Sequence, residues 1–516
     1  MRAAPTMGRK AFVLAFDLGA AGGRVIAGRP ERGLLALHQV HRFANHPVWY
    51  NDELHWDMPR IWHEMQVAMR SLDSLGIDPV ASLGVDAWGA DYALLGERGV
   101  LLENPYHHRD RRTEGMMEKA IGILPASRIY DATGVQFLPV NTLYQLYAAA
   151  QNTPRLLATA ELLLTIPGLL NFWLTGAASC EYTSALATQC LDQRTRLWSW
   201  EILRGLGIST HLLAPIIQPG TEMGRLRTGL AGLPPLKRAS VVAPASHDTA
   251  SATVAVRADG RTVLLDSGGW SSLAAEISQP VAIEDALRLN FTHECGANGT
   301  IRLRKNATGL WLLEGCRRAW ESEGRPLAYP ELLELAAAEQ PFRHLLDGDD
   351  RLFASPDHMP CAIGAYCARS GQQAPRTPGA CARAILESLA LKHRMVIEQL
   401  ETVARTRFEE IRIVGGGAQN ELLCQFTADA AARRVLAGPA EAGALGNIAM
   451  QLVAMGILPS LEEARDLIER ACPPRVYQPA PSAAWECAYR QYAALVAAAG
   501  EPQDRPSAEA AKPAPA

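Results

Sequence analysis

The chain has 516 residues, enough for two or three domains, and 48% hydrophobic with 20% charged residues is ordinary globular composition. A formal net charge of −4 gives no reason to expect a nucleic-acid partner, so an anionic phosphate ligand has to be held by local devices such as backbone N–H groups and metal ions. The ten cysteines are scattered without zinc-ribbon or redox spacing, which predicts reduced, mostly buried thiols of a cytoplasmic protein.

The basic opening MRAAPTMGRK runs into a short strand-like stretch that contains Asp17 and Arg24, so it is not read as a signal peptide. That stretch, Val13 to Ala27, reads as strand, tight glycine turn, strand. The segment HHRDRR at 107–112 tempts a metal or phosphate reading, but no further ligands are spaced around it. It is expected to be a solvated, salt-bridged loop. The longest apolar run, Leu162 to Leu174, is broken by Pro167 and Gly168 and is too short to span a bilayer, so a buried helix start is expected and no membrane is needed.

The segment Val241 to Val254 reads as a strand leading into a helix, with Ser246 as N-cap and Asp248 in the first turn. A carboxylate there is favoured by the helix dipole and is expected to stay ionised. It suits a group that orients a sugar hydroxyl and accepts its proton during phosphoryl transfer, although on local pattern alone a plain helix-start acid is the favoured reading. From Val263 to Leu273 the strand, glycine turn, strand outline returns, again with an Asp followed by glycine at the end of an apolar run. Two such turns at matching places in halves of similar length predict a duplicated domain with a cleft between the copies. Glycine in each turn lets the backbone approach a ligand closely. A third segment, Ile411 to Leu423, is strand, triple glycine, then helix, an arrangement suited to a nucleotide or simply to a tight connection. Short Val/Ile/Leu runs alternate with Ala/Leu-rich helical segments throughout, so the class is α/β. The last stretch, 500–516, is rich in Pro, Ala and charge and is expected to be a disordered tail.

Several motifs stand in one order: DLGAAGGR at 17–24, WGADY at 88–92, GVQF at 134–137, NTLYQ at 141–145, ASHDTASA at 245–252, KNATGLWLL at 305–313, VGGGAQN at 414–420, AGPAEA at 437–442 and LGN at 445–447. On this set the chain resembles the FGGY carbohydrate kinases, and within them the rhamnulokinase branch. The resemblance implies two actin-like (ribonuclease H-like) ATPase domains, one over 9–254 on the sugar side and one over 255–492 on the nucleotide side. It implies ATP and Mg²⁺ as cofactors and a small-molecule sugar as partner, with the reaction L-rhamnulose plus ATP giving L-rhamnulose 1-phosphate plus ADP. Kinases of L-fuculose or xylulose are the nearest alternatives.

The same resemblance assigns roles by position. Asp248 matches the catalytic base. Trp88, Gly89, His247, Thr249 and Asn306 are implied on the sugar, with Arg109 and Asp110 supporting its pocket. Ala20, Ala21, Gly22, Gly23, Arg24, Gly268, Gly269, Glu314 and Gly416 are implied on ATP, and Asp17 reaches Mg²⁺ through water. Trp88 serves equally well as simple core packing.

The departures from the family pattern gather on the ATP side. Ala21 and Gly22 stand where hydroxyl residues are common, Gly269 where threonine is, Asp266 where serine is, and Glu314 where glutamine is. Losing one hydrogen bond to a charged group is worth roughly 1.5–3 kcal/mol, which slows turnover by about one to two powers of ten. These changes leave a non-catalytic sugar-binding protein as the alternative to an active kinase.

Overall fold

The computed structural model describes residues 11–499 apart from 278–280, 282, 296–300, 355 and 481, so the proposed tail at 500–516 lies outside the described residues. The two hairpins expected from the glycine turns are present. Phe12–Leu18 pairs antiparallel with Gly22–Glu31, and Thr262–Ser267 pairs antiparallel with Trp270–Ile277. Phe12–Leu18 is buried along its whole length, which is why its sequence is continuously apolar up to Asp17 instead of alternating.

Each hairpin opens a sheet of the same plan. In the six-stranded sheet, Gly22–Glu31 passes antiparallel to Leu34–Ala44. On its other side Phe12–Leu18 runs parallel to Val80–Ala87, which runs parallel to Ser240–Ala243, with Thr221–Arg225 antiparallel at the edge. In the seven-stranded sheet, Trp270–Ile277 passes antiparallel to Ile301–Thr308 and on to Thr292–Cys295. Thr262–Ser267 runs parallel to Glu410–Val414 and then Arg434–Ala437, with Arg475–Tyr477 antiparallel at that edge. The repeat read from two glycine turns is therefore a repeat of whole sheets.

The halves are joined by two crossing helices, Asp248–Val254 and Ala442–Ala454. Together with Ala11, Val13, Ala15, Leu264 and Val414 they form a core cluster rich in alanine and small residues. Close approach is the reason for that composition. A methyl added at Gly446 would run into the Ser251 carbonyl oxygen, and one at Gly84 would lie 2.5 Å from Asn447 Oδ1. Ala442–Ala454 comes from the second half of the chain yet packs on the first sheet, where Asn447 donates to Asp86 Oδ1 (2.5 Å) and Gln451 exchanges hydrogen bonds with Ser82 and Leu14. Because both helices begin at the junction of the sheets, both N-termini are delivered to one place.

The apolar run at 162–174 forms the strand Leu162–Thr165 and the largely buried helix Ile166–Thr175, as the sequence suggested. Among the described residues no helix is long and apolar enough to cross a membrane. The thiols of Cys180, Cys190, Cys316, Cys367, Cys381 and Cys424 are free and buried.

The segment 107–112 overturns its expectation as a solvated loop. His107, His108 and Asp110 are all buried. His108 Nδ1 lies 2.9 Å from Asp91, Asp110 accepts the amides of Leu54 and Arg112, and the Arg109 guanidinium lies over the rings of Trp270 and Trp311. Local charge density misled here, because the partners come from residues tens to hundreds of positions away.

Candidate active site

Four carboxylates meet where the sheets and the crossing helices converge. Asp17 ends the first strand and stands in register with Asp86 on the neighbouring parallel strand. Asp266 ends the equivalent strand of the second sheet, and Asp248 is the first residue of its helix. Asp17 receives Arg24 Nε at 3.0 Å and the backbone N–H of Ala444 at 2.7 Å, both on Oδ2. That amide belongs to the first turn of Ala442–Ala454, where unpaired N–H groups point outward. Gly443 makes the approach possible, since a Cβ there would sit 2.7 Å from the carboxylate.

So much negative charge in one place moves the protonation equilibria. Burial first, then the Asp266 charge, pushes Asp248 up to about 7. Burial and Asp17 push Asp266 up to about 7. Asp86 is raised well above the usual carboxylate range by burial and by Asp17, against the opposing hydrogen bond from Asn447. Its Oδ2 has no hydrogen-bond partner. The expectation that the helix dipole keeps Asp248 ionised is therefore corrected: desolvation and a like charge outweigh a terminus effect on a seven-residue helix. The N-cap expectation is corrected as well. His247, not Ser246, occupies the cap; the Asp248 carboxylate itself accepts Thr249 N at 2.7 Å, while the Ser246 hydroxyl turns back to the Pro244 carbonyl.

On one wall of this junction stand the residues expected at the sugar. Gly89 faces the His247 imidazole so closely that a Cβ would lie 2.6 Å from Nε2. The side chain of Thr249 hydrogen-bonds Asp266 as well as Asp248. The backbone of Asn306 is held across the cleft by Gln136, which donates Nε2 to its carbonyl (2.9 Å) and accepts its N–H on Oε1 (2.8 Å). Trp88 is 4% exposed. Its indole N–H is bound to Asp91 at 2.9 Å, and its ring packs on Trp56 with centroids 4.2 Å apart. It belongs to the buried core cluster that includes Trp56, Phe16 and Leu18.

The residues expected at ATP form a different kind of surface. Methyl groups added at Gly269 or Gly416 would meet nothing within 4 Å, so these backbones border open space. Gly268 and Gly269 direct their carbonyls to the amides of Gly309, Leu310 and Trp311, which fixes the turn. Gly415, at φ 77°, makes the chain reversal before Gly416, with its missing Cβ directed at Asp266 and Ser267. Asn420 caps the helix Glu421–Ala431 that follows. Glu314 stands in the first turn of Trp311–Ser322, paired with Arg317 at 3.0 Å. The turn at Ala20 and Ala21 closes with reciprocal hydrogen bonds between Gly19 and Gly22; a Cβ on Gly22 would reach 2.9 Å from the Phe43 carbonyl, and one on Gly23 would strike the Phe43 ring. Arg24 is committed to Asp17 and to Glu441, which also holds Arg42. Burial alone would lower its pKa, but these carboxylates raise the guanidinium above its ordinary value.

Asp86 and Glu441 were not singled out for a role in the sequence. A lone Asp inside the apolar run 80–87 is the signal that marks Asp86, since an unneutralised carboxylate in a buried strand is costly without a function. Among the described residues, no three His, Cys, Asp or Glu side chains are arranged to hold a metal ion.

Comparison with known proteins gives a consistent result. The N-terminal domain of the FGGY family of carbohydrate kinases matches residues 12–255, and the C-terminal domain of that family matches residues 264–455. The chain is 38% identical over 476 residues to a rhamnulokinase of Bacteroides thetaiotaomicron, covering 92% of this chain and 97% of the relative. It is 34% identical over 467 residues to a rhamnulokinase of Bacillus subtilis, covering 90% and 95%. In fold it is similar to ligand-bound xylulose kinase from Lactobacillus acidophilus, with TM-score 0.76, 16% identity and coverage of 95% and 99%. It is similar also to Plasmodium falciparum glycerol kinase with ADP, with TM-score 0.72, 15% identity and coverage of 95% and 97%.

Proposed function

The chain belongs to the FGGY family of carbohydrate kinases and is an ATP-dependent sugar kinase, and within that activity we propose that it phosphorylates the 1-hydroxyl of L-rhamnulose with Asp248 as general base. The observation that carries the assignment of the base is its position. Asp248 lies at the helix start where both halves meet, beside Asp17 and Asp266 from the two glycine-bordered turns and next to His247 on the sugar wall. Choice of L-rhamnulose rests on the names of the similar curated proteins, and on a sugar wall that keeps the family's Gly89, His247, Thr249 and Asn306.

The chemistry follows from the surroundings of that carboxylate. A base near 7 is matched to a reaction near neutrality, and it accepts the hydroxyl proton as the oxygen attacks the γ-phosphate. Phosphoryl transfer demands mainly positioning and charge stabilisation. The open, glycine-lined wall leaves room for phosphates beside backbone amides, while Arg24 is held on Asp17 and serves to orient it. The donor set fits Mg²⁺ bound with ATP. Four clustered carboxylates, one with an orphaned buried oxygen, form a site short of positive charge. Asp17 has both its donors on Oδ2, and its carboxylate would hold the hydrated cation. When bound with ATP, the ion supplies neutralisation of phosphate charge.

The test is ADP release on adding L-rhamnulose with Mg-ATP, followed for the wild type and for Asp248→Asn. The expected loss in kcat is about 10³-fold, within the range for removing a positioned base. ADP release indifferent to that substitution defeats the assigned base. Faster release with L-fuculose or xylulose than with L-rhamnulose defeats the assigned substrate.

A further inference from the structure

The turn that carries His247 and Asp248 is held by side chains from a separate part of the chain. Glu181 is 4% exposed and caps the helix Tyr182–Ala187. Its Oε1 accepts Thr183 N at 3.0 Å. Its Oε2 accepts the Thr183 hydroxyl at 2.6 Å, Ser184 N at 3.4 Å and, from 65 residues away, the backbone N–H of Ser246 at 2.9 Å. The Thr183 oxygen in turn accepts the N–H of His247 at 3.1 Å. On the opposite side Ala87 N donates to the Ser246 carbonyl at 3.0 Å. Three consecutive backbone groups immediately before Asp248 are thus fixed, two of them by the Glu181–Thr183 pair.

We infer that Glu181 and Thr183 form a positioning relay that sets the aim of Asp248 and His247, with Glu181 as the buried anion and the Thr183 hydroxyl as the link from it to the His247 amide. The direction of every hydrogen bond is forced. All four groups facing Glu181 are donors, so only a carboxylate satisfies them together. The Thr183 hydroxyl donates its one proton to that carboxylate, a charge-assisted bond, which leaves its lone pairs for the His247 N–H. Burial raises Glu181 to about 7, even against the opposing hydrogen bonds from Thr183, Ser246 and Ser184. A cap for Tyr182–Ala187 needs only the amides of Thr183 and Ser184. Contact with Ser246, and the hydroxyl relay to His247, go beyond capping. A misaimed base costs turnover steeply, because a proton acceptor works only within hydrogen-bond reach of the attacking hydroxyl.

This inference rests on the kinase reading for its kinetic consequence and on the structure alone for the hold on the turn, so the experiment measures both. Thr183→Val removes the hydroxyl at nearly constant shape and Thr183→Ser keeps it. The intact protein and both variants are compared by hydrogen exchange of the peptide amides across 245–249, and by kcat and KM for ketose and ATP. Expected for Thr183→Val are exchange about tenfold faster in that segment and kcat about tenfold lower, with KM for ATP within twofold. Thr183→Ser is expected within twofold of wild type in all of these. Unchanged exchange in Thr183→Val overturns the relay, as does faster exchange with kcat intact. Equal losses in the Val and Ser variants overturn it too, because a packing role does not distinguish them by their hydroxyl. Wild-type protein that releases no ADP with any ketose defeats the kinase reading instead, and the exchange comparison still decides whether Thr183 holds the turn.

Discussion

The two walls of the cleft are built on opposite plans. On the wall proposed for the sugar, side chains are packed and committed: Trp88 to Asp91, His247 against Gly89, Gln136 across to Asn306. On the wall proposed for the nucleotide, Gly269 and Gly416 border open space and the conspicuous charges are paired, Glu314 with Arg317 and Arg24 with Asp17 and Glu441. The contrast fits the chemistry of the ligands proposed for each. A sugar is told from its isomers by hydroxyls that need fixed polar partners, and a buried partner left unpaired is what rejects the wrong one. A polyphosphate can be held by backbone N–H groups and charge, which depend little on side-chain identity. This explains how the departures from the family pattern can gather on the ATP side without disturbing the other wall.

The sharpest way to break the comparison is one substitution placed on each wall. Gly89→Ala puts a methyl 2.6 Å from His247 Nε2, and the imidazole has to move. We expect kcat/KM for the ketose to fall about thirtyfold, as for a misplaced positioning group, with KM for ATP within twofold. At Gly269, on the open wall, the Cβ of a threonine would meet nothing within 4 Å. Gly269→Thr adds a hydroxyl beside the expected phosphates, and kcat is expected to rise about tenfold, the equivalent of one hydrogen bond to a charged group. Steady-state kinetics with each substrate varied in turn reads both. If Gly89→Ala is silent and Gly269→Thr is damaging, the two walls have been assigned the wrong way round.

The sequence made the scaffold legible because strands and glycine turns are local. Asp17 and Gly268 could be placed at equivalent strand ends from apolar runs and φ-permissive residues alone, and whole sheets proved to be duplicated around them. What stayed hidden depends on residues that meet only after folding. The buried state of 107–112 comes from Asp91, Trp270 and Trp311. The cap expected at Ser246 gave way to His247: the Ser246 hydroxyl turns to the Pro244 carbonyl, and its amide is taken by Glu181, 65 residues earlier. Asp248 looked like an acid kept ionised by its helix until Asp266, arriving from the other half, added a like charge in a desolvated place. Glu441 could not be read as the second counter-ion of Arg24 from 417 residues away.

That like charge gives a smaller prediction that links the walls. Asp266→Ser removes the repulsion that helps hold Asp248 near 7, so the base deprotonates at lower pH. The free-enzyme pKa governs the acid limb of kcat/KM. Its midpoint should move downward, with activity at pH 6 rising roughly threefold to fivefold and activity at pH 8 little changed. The stability effect has its own sign. Asp266 folds with its pKa raised above the unfolded value of about 3.9, so its stabilising contribution is complete below that value and is lost as pH rises through about 7. The variant's Tm should therefore exceed that of wild type at pH 8, and the gap should close on acidification. An acid limb that stays in place shows that Asp266 does not sense the base.

The smallest effect is expected at Glu314, where the family pattern has glutamine. Its side chain is about a third exposed and paired with Arg317 one helical turn away, and an ion pair so placed contributes little. Glu314→Gln removes an acceptor-only anion and introduces an amide that both donates and accepts. It also loosens Arg317, which lies near the Tyr329 ring. If the nucleotide wall works through its backbone, KM for ATP changes by no more than about twofold and KM for the ketose does not change. A tenfold fall in KM for ATP would mean that one side chain governs nucleotide affinity, and the contrast between a side-chain wall and a backbone wall would have to be withdrawn. Salt separates these outcomes further. Repulsion between Glu314 and the triphosphate would be screened at high ionic strength, so the variant's advantage would shrink as salt is added, whereas a gain from the amide's hydrogen bonds would persist.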